Sequence, residues 1–278
     1  MRRPTGKSAL AGVMGWPVSH SRSPVLHTHW LDRYGVDGAY VPLLVAPDRL
    51  EDALRGLPAL GFRGCNVTLP HKEAALTLVD GVTGRARRIG AINTVTVRED
   101  GGLEGDNTDG FGFLESLRPA GIDIARGPAV VVGAGGAARS ILVALLDEGC
   151  PEIRLVNRSF DRARSLAHAL DGPVTALPWV ERTEALAGTG LLVNTTSQGM
   201  VGQPPLDLAL DLLPTDALVT DIVYTPLETP LLAAARGRGN PATDGLGMLL
   251  HQARPGFRAW FGIDPTVDAA LRAAVLAA

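Results

Sequence analysis

Three groups of residues in this 278-residue chain have the types and spacing to do chemistry. The first pairs a lysine with a carboxylate: Lys72, in the stretch CNVTLPHK, and Asp109, in GDNTDGFGF. A lysine can release its proton, and a carboxylate beside it can hold and orient it for proton transfer. The plain local alternative is that Asp109 caps the helix that follows. Of the 26 basic residues 24 are arginine, and only Lys7 and Lys72 are lysine. Arginine does not give up its proton in a protein, so the choice of lysine inside a motif points to chemistry rather than charge alone.

The second group consists of short polar side chains. In a strand, Cys65, Val67 and Leu69 share one face, so Asn66 and Thr68 project together from the other. Asn93 alternates with Val95 and Val97 and is expected to be half-buried, where its amide needs partners, either backbone or a ligand hydroxyl. Ser21 and Ser23 stand in a loop before a helix; Ser23 reads as an N-cap, and two hydroxyls at a helix terminus also suit a carboxylate. The third group is the turn GAGGAA, with Gly133, Gly135, Gly136 and Ala137 between an apolar strand and a helix. Its bare backbone N–H groups suit a pyrophosphate. Directly after the next strand come Asn157, Arg158 and Ser159, with Arg162 one turn along the next helix. An acidic residue there would favour NAD; arginine fits a 2′-phosphate and so predicts NADP. The six histidines form no recognised metal spacing, and no metal is expected.

The elements that must position these groups alternate along the chain. Strands are expected over Ala9–Gly15, Ala39–Val45, Cys65–Leu69 and Ala91–Val97, separated by helices from Ser23 to Gly35, Pro47 to Leu60, His71 to Asp80 and Val82 to Ile89, with a hairpin turn at Gly101-Gly102. A helix from Phe111 to Leu117 follows. Strands Ala129–Val132, Ile153–Val156, Leu191–Asn194 and Ala217–Val223 then alternate with helices, the pattern of a doubly wound parallel sheet. The tail from Leu246 is helical, with Pro255 and Gly262 as breaks. The fold class is therefore α/β in two domains, as the length also suggests at roughly 150 residues per domain.

Composition excludes several other classes. The formal net charge of −3 lacks the basic excess of a dedicated nucleic-acid binder. With 46% hydrophobic residues the chain is not disordered, and two cysteines are too few for a disulfide scaffold. No apolar run is long enough to span a membrane, and Arg2, Arg3 and Lys7 precede too short an apolar stretch for a signal peptide, so a cytoplasmic location is expected.

Together the motifs resemble one family, the shikimate dehydrogenases. They are GWPVSHSRSPVLH (Gly15–His27), GCNVTLPHK (Gly64–Lys72), GAINT (Gly90–Thr94), GDNTDGFGF (Gly105–Phe113), GAGGAAR (Gly133–Arg139), NRS (Asn157–Ser159), NTTSQGM (Asn194–Met200), DIVYTPLETPLL (Asp221–Leu232) and GLGMLLHQA (Gly245–Ala253), in the family's order over nearly the whole chain. Thr28 replaces a frequent amide, and Ser159 stands where threonine is common. The resemblance implies NADPH-dependent, reversible reduction of 3-dehydroshikimate to shikimate in aromatic amino-acid biosynthesis. It implies Lys72 and Asp109 as the catalytic pair, and Ser21, Ser23, Asn66, Thr68, Asn93, Tyr224 and Gln252 around the substrate. Gly133, Gly135, Gly136, Ala137, Asn157, Arg158, Ser159, Arg162 and Gly245 are implied around NADP. It also implies a substrate domain over 1–108 completed by 245–278, a Rossmann-type NADP domain over 109–244, and a monomer or homodimer. Alternatives are a quinate/shikimate or aminoshikimate dehydrogenase, and, from another class, a non-catalytic NADPH-binding sensor. Arg158 speaks against the NAD-using quinate enzyme, and intact Lys72 and Asp109 against the sensor.

Overall fold

The computed structural model describes residues 4–278; Arg2 and Arg3 of the basic N-terminus lie outside the described residues. The chain divides into two compact units. One runs to Thr108 and resumes at Leu250, and the other spans Asp109–Leu249. The second crossing thus falls inside a helix rather than at Gly245.

The first unit is built from β1 (Ala9–Gly15), α1 (Ser23–Tyr34), β2 (Gly38–Leu44), α2 (Leu50–Ala59), β3 (Phe62–Val67), α3 (Lys72–Leu78), β4 (Gly81–Val82), α4 (Gly84–Ile89), β5 (Thr94–Val97) and β6 (Leu103–Asp106). Its six-stranded sheet has the order β2-β1-β3-β5-β6-β4, with β1 parallel to β2 and β3, and β5 antiparallel to β3 and β6. Strand alternation gives the sheet two different faces. Met14, Cys65 and Val67 turn to a core with Leu50, Leu54 and Leu57 of α2. In the register Ala11 lies beside Tyr40 and Gly64, and Val13 beside Asn66, so these residues belong to the opposite face.

The second unit contains α5 (Asp109–Leu117), β7 (Ala129–Val132), α6 (Gly136–Asp147), β8 (Ile153–Val156), α7 (Phe160–Ala169), β9 (Val174–Leu177), β10 (Leu191–Asn194), β11 (Leu218–Asp221), α8 (Pro230–Gly237) and β12 (Ala242–Thr243). Its strands run all parallel in the order β12-β11-β10-β7-β8-β9, a doubly wound sheet whose order reverses between β7 and β10. Every residue of β7 is buried, which is why its sequence is a continuous apolar run rather than an alternating one. The chain re-enters the first unit within α9 (Leu246–Phe261) and ends with α10 (Ala269–Leu276).

Several expectations change. Pro255 does not break the last long helix: α9 runs through it to Phe261, and Gly262, at φ 75°, ends it. An interior proline costs about 3 kcal/mol. Full burial of Phe257 and Trp260 just beyond it, at roughly 1.5–3 kcal/mol each, offsets that. β5 begins at Thr94 rather than Ala91, and β3 ends at Val67, leaving Asn93 and Thr68 just outside their strands. The short strands β4, β9 and β12 were not anticipated. No helix among the described residues is long and apolar enough to cross a membrane.

Candidate functional site

In the first unit the polar residues meet on the face of the sheet opposite the α2 core. Asn66 is buried, and its amide is fully engaged. Its Oδ1 accepts from the Tyr40 hydroxyl at 2.6 Å, and its Nδ2 donates to the Asn93 carbonyl at 3.0 Å and to Thr94 Oγ1 at 3.2 Å. Asn93 is also buried. Its Oδ1 accepts from Thr94 Oγ1 (2.9 Å) and from the Thr108 N–H (2.9 Å), while its Nδ2 donates to Gln252 Oε1 at 3.3 Å. Thr108 Oγ1 donates to the Gln252 carbonyl at 2.8 Å. Asn93 and Gln252, far apart in sequence, are thus brought together by α9.

Ser21 and Ser23 stand at the start of α1. Ser23 is the helix's first residue rather than its N-cap; Arg22 occupies the cap position without a side-chain bond, and Ser21 Oγ accepts from the Ser23 N–H at 3.3 Å. Thr68 is half-buried, and Gly15 makes room for it, since a Cβ there would stand 2.5 Å from its methyl group. Lys72 opens α3. Its carbonyl accepts from the Ile92 N–H at 2.9 Å, tying the lysine turn to the residue before Asn93. The preceding His71 is buried, and its Nε2 donates to the Val45 carbonyl at 2.8 Å, anchoring the turn to the other side of the sheet.

In the second unit Asp109, 7% exposed, is the first residue of α5 rather than the residue before it. A Cβ at Gly110 would lie 2.9 Å from both Ala144 Cβ and the Ser140 carbonyl, so glycine there lets α5 press against α6 and fixes where Asp109 begins. The glycine turn caps α6 with Gly135, which makes no side-chain cap bond. Side chains added at Gly135 or Gly136 would meet nothing within 4 Å, whereas Gly133, at φ 112°, has Thr195 Oγ1 only 2.5 Å from a would-be Cβ. The bare helix N-terminus therefore opens onto a recess, with its first N–H groups left for an anion. The recess is lined by Gly133, Gly135, Asn157, Arg158 and Arg162. Asn157 Nδ2 donates to the Ser159 carbonyl at 2.8 Å and shapes the turn. Arg158 is exposed and has no ion pair among the described residues, while Arg162 reaches back to the Ala134 carbonyl at 3.4 Å.

The recess has further walls that residue-by-residue reading left out: Trp179, and the loop Thr195 to Gln198. That loop is held by Asn194, whose Oδ1 accepts from the Thr196 N–H and hydroxyl and whose Nδ2 donates to Asp221 Oδ1. Asp221 also accepts from the Val223 N–H and the Thr229 hydroxyl. Burial pushes its carboxyl above the ordinary value, against the pull of these three bonds. Tyr224 follows this buried knot. Gly245 packs against its approach: a Cβ would lie 2.2 Å from the Ile222 carbonyl oxygen, so only glycine fits. Its demand is for close backbone approach, and it does not line the recess. Tyr40 was also missed, because its contact with Asn66 depends on the register of β1 between them.

A doubly wound sheet with a bare glycine-turn helix and an arginine beside it defines a nucleotide-dependent oxidoreductase type of unit. Family models agree on which one. The shikimate dehydrogenase substrate-binding domain matches residues 13–95, the shikimate/quinate 5-dehydrogenase model residues 119–201, and the shikimate 5′-dehydrogenase C-terminal domain residues 245–275. The chain is 64% identical to the shikimate dehydrogenase (NADP(+)) of Rhodospirillum rubrum over 98% of both chains. It superimposes on the shikimate 5-dehydrogenase of Thermus thermophilus, solved with NADP(H) and shikimate, with a TM-score of 0.87 at 38% identity, covering 97% of this chain and 99% of that one. It also matches the quinate dehydrogenase of Corynebacterium glutamicum, solved with NAD, with a TM-score of 0.91 at 31% identity, over 98% and 99%. The chain belongs to the shikimate dehydrogenase family.

Proposed function

We propose that the chain catalyses the reversible NADPH-dependent reduction of 3-dehydroshikimate to shikimate, a step of aromatic amino-acid biosynthesis. The observation that carries the reading is Arg158, an arginine with no acidic partner among the described residues, beside an uncapped glycine-turn helix, in a chain 64% identical to a relative named for NADP(+). The fold alone does not separate shikimate from quinate chemistry, since it is shared with an NAD-bound quinate dehydrogenase. Arg158 bears on the cofactor, NADP over NAD, and the substrate reading is supported by the 64% identical relative named shikimate dehydrogenase (NADP(+)).

The residues present fit the cofactor. The start of α6 at Gly135, Gly136 and Ala137 offers uncapped N–H groups suited to the pyrophosphate, with no room taken up beside Gly135 and Gly136. Arg158 and Arg162 provide charge for the 2′-phosphate, with Asn157 and Ser159 shaping their turn. Bound NADPH supplies the hydride that reduces the C3 carbonyl. Lys72 Nζ stabilises charge on the carbonyl oxygen and delivers the proton, which it regains from solvent. Asp109 accepts a hydrogen bond from the reacting hydroxyl and orients it. Ser21, Ser23, Thr68, Asn93 and Gln252 hold the ring substituents and carboxylate, Asn66 braces them, and Tyr224 stands by the reacting carbon. The test is an initial-rate assay with shikimate and quinate, each against NADP+ and NAD+. Shikimate with NADP+ gives the highest kcat/KM; equal use of the two cofactors, or preference for quinate, refutes the reading.

A further inference from the structure

Tyr40 belongs to no motif singled out in the sequence, yet it joins two of the residues assigned to the substrate. Its ring is 5% exposed and lies flat on His27, with ring centres 3.9 Å apart and planes 4° from parallel. Its hydroxyl donates to Asn66 Oδ1 at 2.6 Å, and Ser23 stands beside the phenol. The phenol reaches Asn66 diagonally across β1, passing Ala11, whose small side chain leaves the space.

From Tyr40 onward each donor points the same way. The Tyr40 hydroxyl gives its proton to Asn66 Oδ1, so Asn66 turns its Nδ2 toward Thr94 Oγ1. Thr94 then has its lone pair engaged and gives its proton to Asn93 Oδ1. Asn93 in turn directs its Nδ2 to the Gln252 side chain. An amide read alone can face either way; here backbone groups orient both, the Asn93 carbonyl taking Asn66 Nδ2 and the Thr108 N–H giving to Asn93 Oδ1. The Tyr40 proton agrees with that direction and holds the Asn66 end. Asn66 has no amide proton left for a ligand.

We propose that Tyr40 is a positioning residue of the substrate site: its hydroxyl, with the Asn93 carbonyl, holds the Asn66 amide, and through Asn66 and Thr94 it braces the Asn93 side chain that the Thr108 N–H orients. Asn66 is accordingly a brace rather than a direct contact. This rests on the shikimate reading above.

The experiment is Tyr40→Phe, which keeps the stacked ring and removes one hydroxyl, assayed as the full chain. The shikimate KM rises about tenfold, the worth of one neutral hydrogen bond, while kcat and the KM for NADP+ stay within about threefold. Leu54→Ala, in the α2 core on the opposite face of the sheet, controls for lost stability and leaves the shikimate KM in place. In an Asn93→Ala background, Tyr40→Phe adds less than it does alone, because the chain's last link is already gone. An unmoved shikimate KM in Tyr40→Phe, an equal rise in Leu54→Ala, or full additivity with Asn93→Ala overturns the proposal while leaving the shikimate reading intact. Failure of the unmodified protein to turn over shikimate overturns both.

Discussion

His27 is a histidine that the fold keeps neutral, and this ties the stability of the first unit to pH. The ring is fully buried against Tyr40, Trp30, Phe257 and Trp260, and neither of its nitrogens has a hydrogen-bond partner among the described residues. Burial pushes its pKa down from 6.5 to about 3. In the unfolded chain the same ring takes up a proton as pH falls through its ordinary value. Between 6.5 and about 3 the unfolded state therefore binds one proton more than the folded state. Stability is fully present above that window, is lost as pH falls through it, and falls no further on this account below it. At pH 5, about one and a half pH units under the unfolded value, the loss relative to pH 8 is about 2 kcal/mol. His27→Phe keeps a flat ring and removes the titration. Any packing change it introduces acts at both pH values and cancels in the difference. Urea unfolding followed by tryptophan fluorescence at the two pH values measures it, with Trp30 and Trp260 beside the ring as reporters. The unmodified chain loses about 2 kcal/mol more than the variant between pH 8 and pH 5. Equal losses in the two proteins refute the reasoning, because they mean that the folded ring is protonated as readily as the unfolded one.

Arg158→Ala weakens NADP+ binding by one to two decades, about 1.5–3 kcal/mol for a charge-assisted phosphate contact, and leaves NAD+ affinity nearly unchanged; titration of the two cofactors checks both. Lys72→Ala and Lys72→Arg each lower kcat by about two decades or more while NADPH binding persists, because arginine neither releases a proton nor places its charge at the same point. Asp109→Asn lowers kcat comparably with only a small change in Tm, since asparagine keeps the side chain's shape and gives up about 0.3–1 kcal/mol of favourable charge in the first turn of the helix. A near-normal rate in that variant returns Asp109 to a purely structural part.

The second unit was legible because its signals are local. Ala129–Val132 runs straight into the glycine turn, and Arg158 follows β8 directly, so strand, helix start and phosphate cation lie within short windows. The strands that escaped notice, β9 and β12, form the two edges of the sheet, where pairing with a neighbour rather than composition makes the strand. In the first unit, alternation correctly separates Asn66 from Cys65 and Val67, but it does not reveal what the amide touches. That depends on Tyr40 arriving from β2 in register with Ala11, on the Thr108 N–H just beyond β6 reaching Asn93, and on Gln252 returning along α9. The Pro255 expectation failed for a related reason: a local rule was outweighed by the distant packing of Phe257 and Trp260.

The two kinds of cation in this chain are placed where their opposite properties matter. Arg158 stands where a fixed, planar charge is needed and proton loss would be a defect, and arginine is the residue whose fork matches a phosphate. Lys72 is set at the first residue of α3, the positive end of a helix, where a cation slightly destabilises the helix. A chain that uses arginine for 24 of its 26 basic residues gains no helix stability by placing any cation there. A requirement for charge alone would be met as well by arginine. What lysine adds at that position is a proton that can leave, on a point charge held by a turn that His71 and Ile92 anchor from both sides. The Lys72→Arg variant is therefore the sharper of the two lysine substitutions: it preserves the net charge while removing the proton that can leave and the point-like placement of that charge.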